Sequence, residues 1–283
     1  MLSWRVGDVT VKRIVEMELP IPPGGHFLAQ ASPEALRQSP WLYPHFVNDK
    51  DELLLSVHAL LVEAPGLRLV VDTCIGNDRA RGITGGQPLA TPFLAHLADA
   101  GWPRDSVDAV VCTHLHVDHV GWNTMLENGR WVPTFPKARY LLGSEEYAHW
   151  SSVDEDETQQ ILADSVRPIF DAGLAELVEM DHVISPEVRL IPSVGHTPGH
   201  VCVVIESQGE RAVITGDSTH HPCQIAHPDW SPVFDSDQVQ SAKTRARLFA
   251  EWADEEALVI GTHFSAPTAG RIRRDGAAFR FEA

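Results

Sequence analysis

Short apolar runs alternate with helix-like stretches along the 283-residue chain. Continuous or alternating apolar runs bounded by Gly, Pro or Asp predict β-strands, whereas apolar residues three or four apart predict amphipathic helices. We predict strands at residues 9–15, 53–63, 67–71, 107–113, 138–142, 177–180, 188–191, 201–206, 212–215 and 258–261, with a terminal strand pair within 271–281. Helices are predicted at residues 92–100, over most of 145–171 and at 238–253. This alternation is typical of the α/β class.

The chain is predicted to form one domain, residues 1–283. Its length suits one large α/β domain or two small ones. The Pro- and Gly-rich stretches 20–25 and 84–92 read as loops within that domain, and no stretch reads as a linker. We place the core at about 53–265. Residues 1–52 are predicted to form an N-terminal strand and an extended loop region, which could roof a pocket or cover the partner subunit of a homodimer.

Charge and composition bear on whether the protein binds nucleic acid or a membrane. The chain has 22 basic and 39 acidic residues, a formal net charge of −17, which would repel a phosphate backbone, so we expect no nucleic-acid partner. No apolar run has the length of a membrane helix, and the N-terminus lacks the apolar core of a secretory signal. The four cysteines are scattered and form no C-x-x-C pair. These features predict a cytoplasmic protein without a membrane partner.

Four potential metal ligands follow the apolar strand 107–113 within six positions. They are His114, His116, Asp118 and His119. Imidazole and carboxylate groups are common ligands of zinc and related divalent ions. The alternative is a solvated polar loop, but the end of a strand does not require three histidines beside an aspartate. The run therefore predicts a metal site.

Three more polar residues stand where a strand or its following turn ends. His196 lies in a tight turn, Asp217 follows the strand at 212–215, and His263 follows the strand at 258–261. Taken singly, each could cap a turn. Together with the first run they make five histidines and two aspartates, whereas a single tetrahedral ion needs four ligands. The set suits two ions close together.

A short internal repeat supports this grouping. Residues 109–114 and 258–263 both read as an apolar strand followed by Thr-His, and residues 70–73 and 214–217 both place a carboxylate at a strand end. A duplicated half would bring such strand ends to one rim, where α/β proteins usually carry their functional groups.

In this order the seven residues resemble the motif of the metallo-β-lactamase-fold hydrolases, over about residues 56–263. The resemblance implies an αββα sandwich, in which two mixed β-sheets are flanked by helices. It also implies two metal ions that share Asp217 as a bridging ligand: the first held by His114, His116 and His196, the second by Asp118, His119 and His263.

Two further residues are predicted to support the ligands. Asp72 matches the family's buried aspartate that orients the metal loop, although it could simply cap the following turn. His200 lies four residues after His196, and we expect it to form a hydrogen bond behind the ligands rather than to bind metal.

The segment 216–235, followed by Thr244-Arg-x-Arg247, resembles the lactonase and methyl-parathion-hydrolase branch of the family. This implies cleavage of a small-molecule lactone or carboxylic ester by a metal-bridging hydroxide. Asp118 could pass a proton to the leaving alkoxide, and His220 could stabilise the oxyanion, where homoserine lactonases have a tyrosine. A surface or packing role for His220 remains the alternative.

Other functions are left open by the sequence. The first is hydrolysis of an organophosphate triester or aryl ester, and the others are a metal-binding protein without turnover and a di-iron redox protein. The cofactors are predicted to be two divalent ions, zinc first, although the same nitrogen and oxygen ligands accept manganese, cobalt or iron.

Aromatic and histidine side chains near the motifs are predicted to line a substrate pocket, because ligand sites are largely apolar. The candidates are Trp122, His221, Trp230 and Phe264. Phe264 directly follows the predicted ligand His263, and Trp122 comes three residues after His119. Each candidate could instead belong to the core.

Overall fold

The computed structural model describes residues 1–25, 27–276 and 278–283. Two seven-stranded sheets dominate it. The first contains, in order across the sheet, β1 (Ser3–Val6), β2 (Val9–Ile21), β3 (Leu53–Ala64), β4 (Leu67–Val71), β5 (Ala109–Val111), β8 (Arg139–Gly143) and β9 (Ala175–Val178). The second contains β10 (Val183–Ser185), β11 (Val188–Pro192), β12 (Val201–Ser207), β13 (Glu210–Ile214), β14 (Leu258–Ile260), β15 (Ala269–Asp275) and β16 (Ala278–Glu282). A separate hairpin joins β6 (Thr124–Glu127) and β7 (Arg130–Pro133).

The helices are mostly short. They are α1 (Pro33–Leu36), α2 (Phe93–Asp99), α3 (Ser144–Ser151), α4 (Asp156–Ile161), α5 (Arg167–Asp171), α6 (Cys223–Ala226) and α7 (Gln238–Asp254). A π-helical turn, Leu162–Val166, joins α4 to α5, and 3-10 turns occur at Pro40–Leu42, Gly82–Thr84, Arg104–Ser106, Gly121–Asn123 and Gly216–Ser218. Within the described ranges, no helix has the length and apolar character needed to cross a membrane.

The apolar core forms three layers. The middle layer packs the two sheets face to face, with Leu69 and Val111 of the first against Val203 of the second. Outside the first sheet, α2 buries Phe93, and outside the second, α7 buries Trp252. Because each sheet is covered by the other on one face and by helices on the other, both faces are apolar. The predicted αββα sandwich of two mixed sheets is confirmed.

The internal repeat of the sequence corresponds to equivalent places in the two sheets. In the first sheet β4 pairs parallel with β5, and in the second β13 pairs parallel with β14. Asp72 follows β4 and His114 comes three residues after β5, while Asp217 and His263 lie three residues after β13 and β14. Since the carboxyl ends of parallel strands meet at one sheet edge, these side chains gather at one rim of the sandwich.

Candidate metal centre

All seven predicted ligands come together at this rim, in two adjoining groups. One group comprises His114, His116, His196 and Asp217, and the other comprises Asp118, His119 and His263. Within each group, one ligand atom of every residue lies within 4.8 Å of the others. Nitrogen and carboxylate donors at this spacing are suited to hold divalent ions.

Asp217 lies between the two groups. Its Oδ2 is 3.4 Å from Nε2 of His196 and 3.3 Å from Nε2 of His119, and its Oδ1 is 3.2 Å from Nε2 of His263. Oδ1 is buried and has no hydrogen-bond partner among the described residues. Burying a carboxylate oxygen without a hydrogen-bond donor lowers the stability of the fold, and a cation bound to this oxygen would compensate for the missing donor. The residues present therefore fit a pair of divalent ions.

The electrostatics of the first group favour metal-binding protonation states. Burial, reinforced by the neighbouring histidines, lowers the pKa of His114, His116 and His196 well below the ordinary value. Burial alone would raise the pKa of Asp217, but the surrounding histidines hold it well below its usual range. The three histidines of the first group are therefore neutral, which is the form in which imidazole binds metal. Burial would lower the pKa of His119 and His263, but nearby carboxylates, Asp217 first, raise it.

Asp72 and His200 lie directly behind the ligands. Asp72 Oδ2 is 2.9 Å from Nδ1 of His119, and its Oδ1 accepts from Thr113 N at 2.7 Å. His200 accepts from the backbone N–H of Asp217 through Nε2, at 2.8 Å, and burial lowers its pKa to about 4. Such contacts fix the orientation of His119 and the backbone of Asp217, which is the supporting role that a metal site requires.

A third supporting carboxylate, Asp235, escaped the sequence reasoning. Its Oδ1 is 2.8 Å from Nδ1 of His196, and its Oδ2 is 3.4 Å from Nη1 of the fully buried Arg245. Arg245 in turn donates to Ser241 Oγ at 2.7 Å. Two positions before Asp237, which caps α7, an aspartate reads as one more capping residue. Nothing local in the sequence distinguishes its role.

An apolar cavity of about 660 Å³ opens onto the two groups. Its floor includes Asp118 and His220, and its walls include Phe27, Trp150 and Phe234. Among the lining residues that the structure describes, none is Lys or Arg. The cavity therefore suits an uncharged, largely apolar ligand.

His220 lies between the ligands and the cavity. Its ring is buried, stacks parallel to that of His263 with centroids 5.9 Å apart, and places Nε2 3.1 Å from Asp217 Oδ2. In the described part of the chain neither ring nitrogen finds a hydrogen-bond partner. Nε2 lies at ion-pair distance from the Asp217 carboxylate, and the ring forms part of the cavity lining.

The sequence model of the metallo-beta-lactamase superfamily matches residues 53–263, most of the chain. The chain belongs to this superfamily. The match spans every residue of the two ligand groups, so the family resemblance drawn from the motif is confirmed.

Similar proteins of known structure share this metallo-beta-lactamase fold. A probable metal-dependent hydrolase from Staphylococcus aureus has 21% identity and a TM-score of 0.77, covering 99% of both chains. The dizinc quorum-quenching lactonase AidC, solved with a product, has 17% identity and a TM-score of 0.80, covering 99% of this chain and 96% of that one. At these identities the likeness shows the fold.

Among curated proteins, the N-acyl homoserine lactonase AiiA of Bacillus thuringiensis subsp. kurstaki is 25% identical over 118 residues. That segment is 42% of this chain and 40% of the relative. The chain therefore matches less than half of the length of this lactonase, and the match by itself assigns no substrate.

Within this metallo-beta-lactamase fold the predicted pocket residues require a correction. None of the four lines the cavity in the ranges that the structure describes: Trp122, His221, Trp230 and Phe264. Trp122 instead stacks on Phe93, with centroids 5.4 Å apart, and Phe264 packs against Phe46 in the core. Closeness to a ligand in sequence therefore did not decide which side chains face the cavity, since Leu115 and Val117 do line it.

His221 instead holds a backbone turn, and this predicts a pH dependence of stability. Its Nε2 donates to the carbonyl of Phe46 at 2.7 Å, its Nδ1 accepts from Cys223 N at 3.1 Å, and burial lowers its pKa from 6.5 to about 4. Below pH 6.5 His221 binds a proton in the unfolded chain, whereas in the folded chain it binds a proton only near pH 4. The contribution of His221 to the free energy of unfolding is therefore fully present above pH 6.5. It is lost as the pH falls toward 4, by about 1.4 kcal/mol per pH unit.

Urea denaturation of the metal-free protein at pH 7, 6 and 5 measures this loss. We expect His221→Gln to reduce the dependence of the unfolding free energy on pH by about 1.4 kcal/mol per pH unit between pH 6 and 5. The exposed His45→Gln is the matched control. Equal slopes in the wild type and His221→Gln would contradict the assignment.

Proposed function

We propose that this protein is a metal-dependent hydrolase of an uncharged small lactone or carboxylic ester with an apolar substituent. The observation that carries this proposal is the position of Asp217, which faces two ligand groups at the floor of an apolar cavity. A structural zinc site closes its shell with four ligands in a buried place, whereas these groups adjoin an open space large enough for a substrate.

Two divalent ions would be held by the two groups, the first by His114, His116 and His196, the second by Asp118, His119 and His263, with Asp217 shared. When bound, the ions would supply Lewis acidity and lower the pKa of water, so that hydroxide is available near neutral pH.

Two side chains on the cavity floor could then take part in the reaction, one by transferring a proton and the other by stabilising developing negative charge. Asp118 is only slightly exposed and lies against His119 and His263, at 3.6 and 3.5 Å. From there its carboxylate can hold a proton and pass it to the departing alkoxide. His220 lines the cavity, and an N–H of its ring can donate to a substrate oxygen as that oxygen gains charge.

The cavity walls supply the substrate preference. Phe27, Trp150 and Phe234 offer apolar and aromatic surface, which excludes water from an ester and its acyl or aryl group. The charged side chains at the mouth, Glu155 and Glu157, are acidic. Free phosphate and carboxylate groups are therefore disfavoured. Uncharged organophosphate triesters and aryl esters fit the same walls and form the second candidate class.

The test begins with elemental analysis and continues with hydrolysis assays after removal and return of metal. We expect about two divalent ions per chain, activity on lactones or carboxylic esters, and complete loss of that activity in excess chelator. Each added methylene in the acyl chain should raise kcat/KM about threefold to fourfold until the cavity is filled, because a buried CH₂ contributes about 0.8 kcal/mol.

The outcome also separates the alternatives. Activity confined to phosphotriesters and aryl esters would favour the second candidate. A protein that binds two ions but hydrolyses no ester, lactone or phosphotriester would contradict the proposal and favour a binding protein, and a coloured iron protein would favour a redox role.

A further inference from the structure

The buried carboxylate of Glu146, in the first turn of α3, is surrounded by hydrogen-bond donors. Oε1 accepts from Leu115 N at 3.1 Å and from Trp150 Nε1 at 2.6 Å. Oε2 accepts from Thr197 Oγ1 at 2.7 Å and from Gly199 N at 2.9 Å. Glu146 is 1% exposed.

Because all four partners act as donors, the carboxyl acts only as an acceptor. An ionised carboxylate has about four lone-pair sites, whereas a protonated or amidated group would turn one oxygen position into a donor. Within the described ranges no Lys or Arg lies within ion-pair distance of Glu146. A buried charge held by hydrogen bonds alone is costly unless every bond is made.

Three of the four bonds connect α3 to the two loops that carry the first ligand group, and the fourth, from Trp150, lies within α3. Leu115 lies between His114 and His116, and Thr197 follows His196. The loop after His196 also packs closely on α3, since a Cβ on Gly199 would lie 2.3 Å from Glu146 N. One carboxylate thus fixes the separation of two backbone segments that are far apart in sequence.

The same carboxylate holds part of the cavity wall. Trp150 lines the cavity, and its ring meets the ring of His116 edge to face, with centroids 5.2 Å apart. The bond from its Nε1 to Glu146 fixes the rotation of the indole. The Trp150 wall and the two ligand loops are therefore all held by the Glu146 carboxylate.

We propose that Glu146 is a positioning residue, which fixes the ligand group His114, His116 and His196 and the Trp150 wall in one arrangement. The role of Trp150 as a substrate contact rests on the proposed function. The effect of Glu146 on metal binding can be measured without any turnover. Residues behind metal ligands tune affinity by orienting them, typically by 10- to 100-fold.

The decisive variant is Glu146→Gln, which keeps the shape and puts an amide N–H₂ toward two donors. We expect affinity for one of two cobalt ions to fall about 10- to 100-fold in chelator competition, with a changed visible spectrum for that ion, while the other ion binds within about threefold of wild type. The neighbouring exposed Glu145→Gln is the matched control and should bind both ions normally.

A second variant, Trp150→Phe, removes one donor and keeps an aromatic wall. We expect KM for the longest acyl ester to rise several-fold, with kcat within about twofold of wild type. Cobalt affinity should fall less than in Glu146→Gln, because the three bonds from the ligand loops to Glu146 remain. If Glu146→Gln does not fold, Thr197→Val removes a single donor, and its weakened binding of one cobalt ion supports the same conclusion.

The proposal is overturned if Glu146→Gln melts at a lower temperature yet binds both cobalt ions with wild-type affinity and spectrum, because Glu146 then only stabilises the fold. A wild-type protein that binds cobalt but hydrolyses nothing would overturn the proposed function. A loss of cobalt affinity in Glu146→Gln would still support the positioning role in that case.

Discussion

Replacing Asp217 with asparagine is expected to lower kcat/KM by more than about 100-fold and to remove at least one of the two proposed metal ions. Loss of a residue behind a metal ligand typically costs 10- to 100-fold, and Asp217 faces both ligand groups directly, so its loss should cost more. Asparagine keeps the shape but removes the negative charge that offsets two cations. Elemental analysis and steady-state kinetics at fixed free metal measure both effects.

The exposed Asp229→Asn, which removes the same charge farther along the same segment, is the control and should retain metal and activity. Asp217→Asn protein that retains two ions and wild-type kcat/KM would refute the bridging role.

Replacing Arg245 with methionine is expected to lower the free energy of unfolding by about 3–5 kcal/mol, the usual cost of leaving one partner of a buried ion pair alone. Arg245 and Asp235 are both fully buried, and methionine would leave the Asp235 carboxylate without its cation. Urea denaturation of the metal-free protein gives the value without a contribution from bound ions.

Arg247→Met on the same helix is the matched control, because this arginine is exposed and its bond to Glu251 is 3.4 Å long. Such surface pairs contribute little. A stability change in Arg245→Met as small as that of the control would mean that Asp235 does not depend on the buried cation.

The clustering of the seven predicted ligands could be predicted from the sequence because these residues follow strands that the apolar pattern reveals. His114, His116, Asp118 and His119 occupy one loop, and the repeat of Thr-His after β5 and β14 marked His263. Most predicted strands and α7 also match the structure. The short edge strands β1 and β10 and the hairpin β6–β7 were missed, because few residues in each are buried.

The supporting residues and the cavity could not be found in the same way. Glu146 lies in an ordinary charged helix start and Asp235 before a helix cap, and both gain their roles only through contacts distant in sequence. Apolar periodicity shows that a side chain avoids water, but it does not separate a core from a pocket wall. For that reason Trp122 was misassigned to the pocket and Trp150 was missed.

The equivalence of the two sheets has a consequence for assembly. Each ligand group draws side chains from both halves of the chain: His114 and His116 with His196, and His119 with His263. A bound ion would therefore connect the two halves of the chain. Neither half alone carries all the ligands of either group. Bound metal would then stabilise the sandwich itself, so that removal of metal is expected to lower its free energy of unfolding.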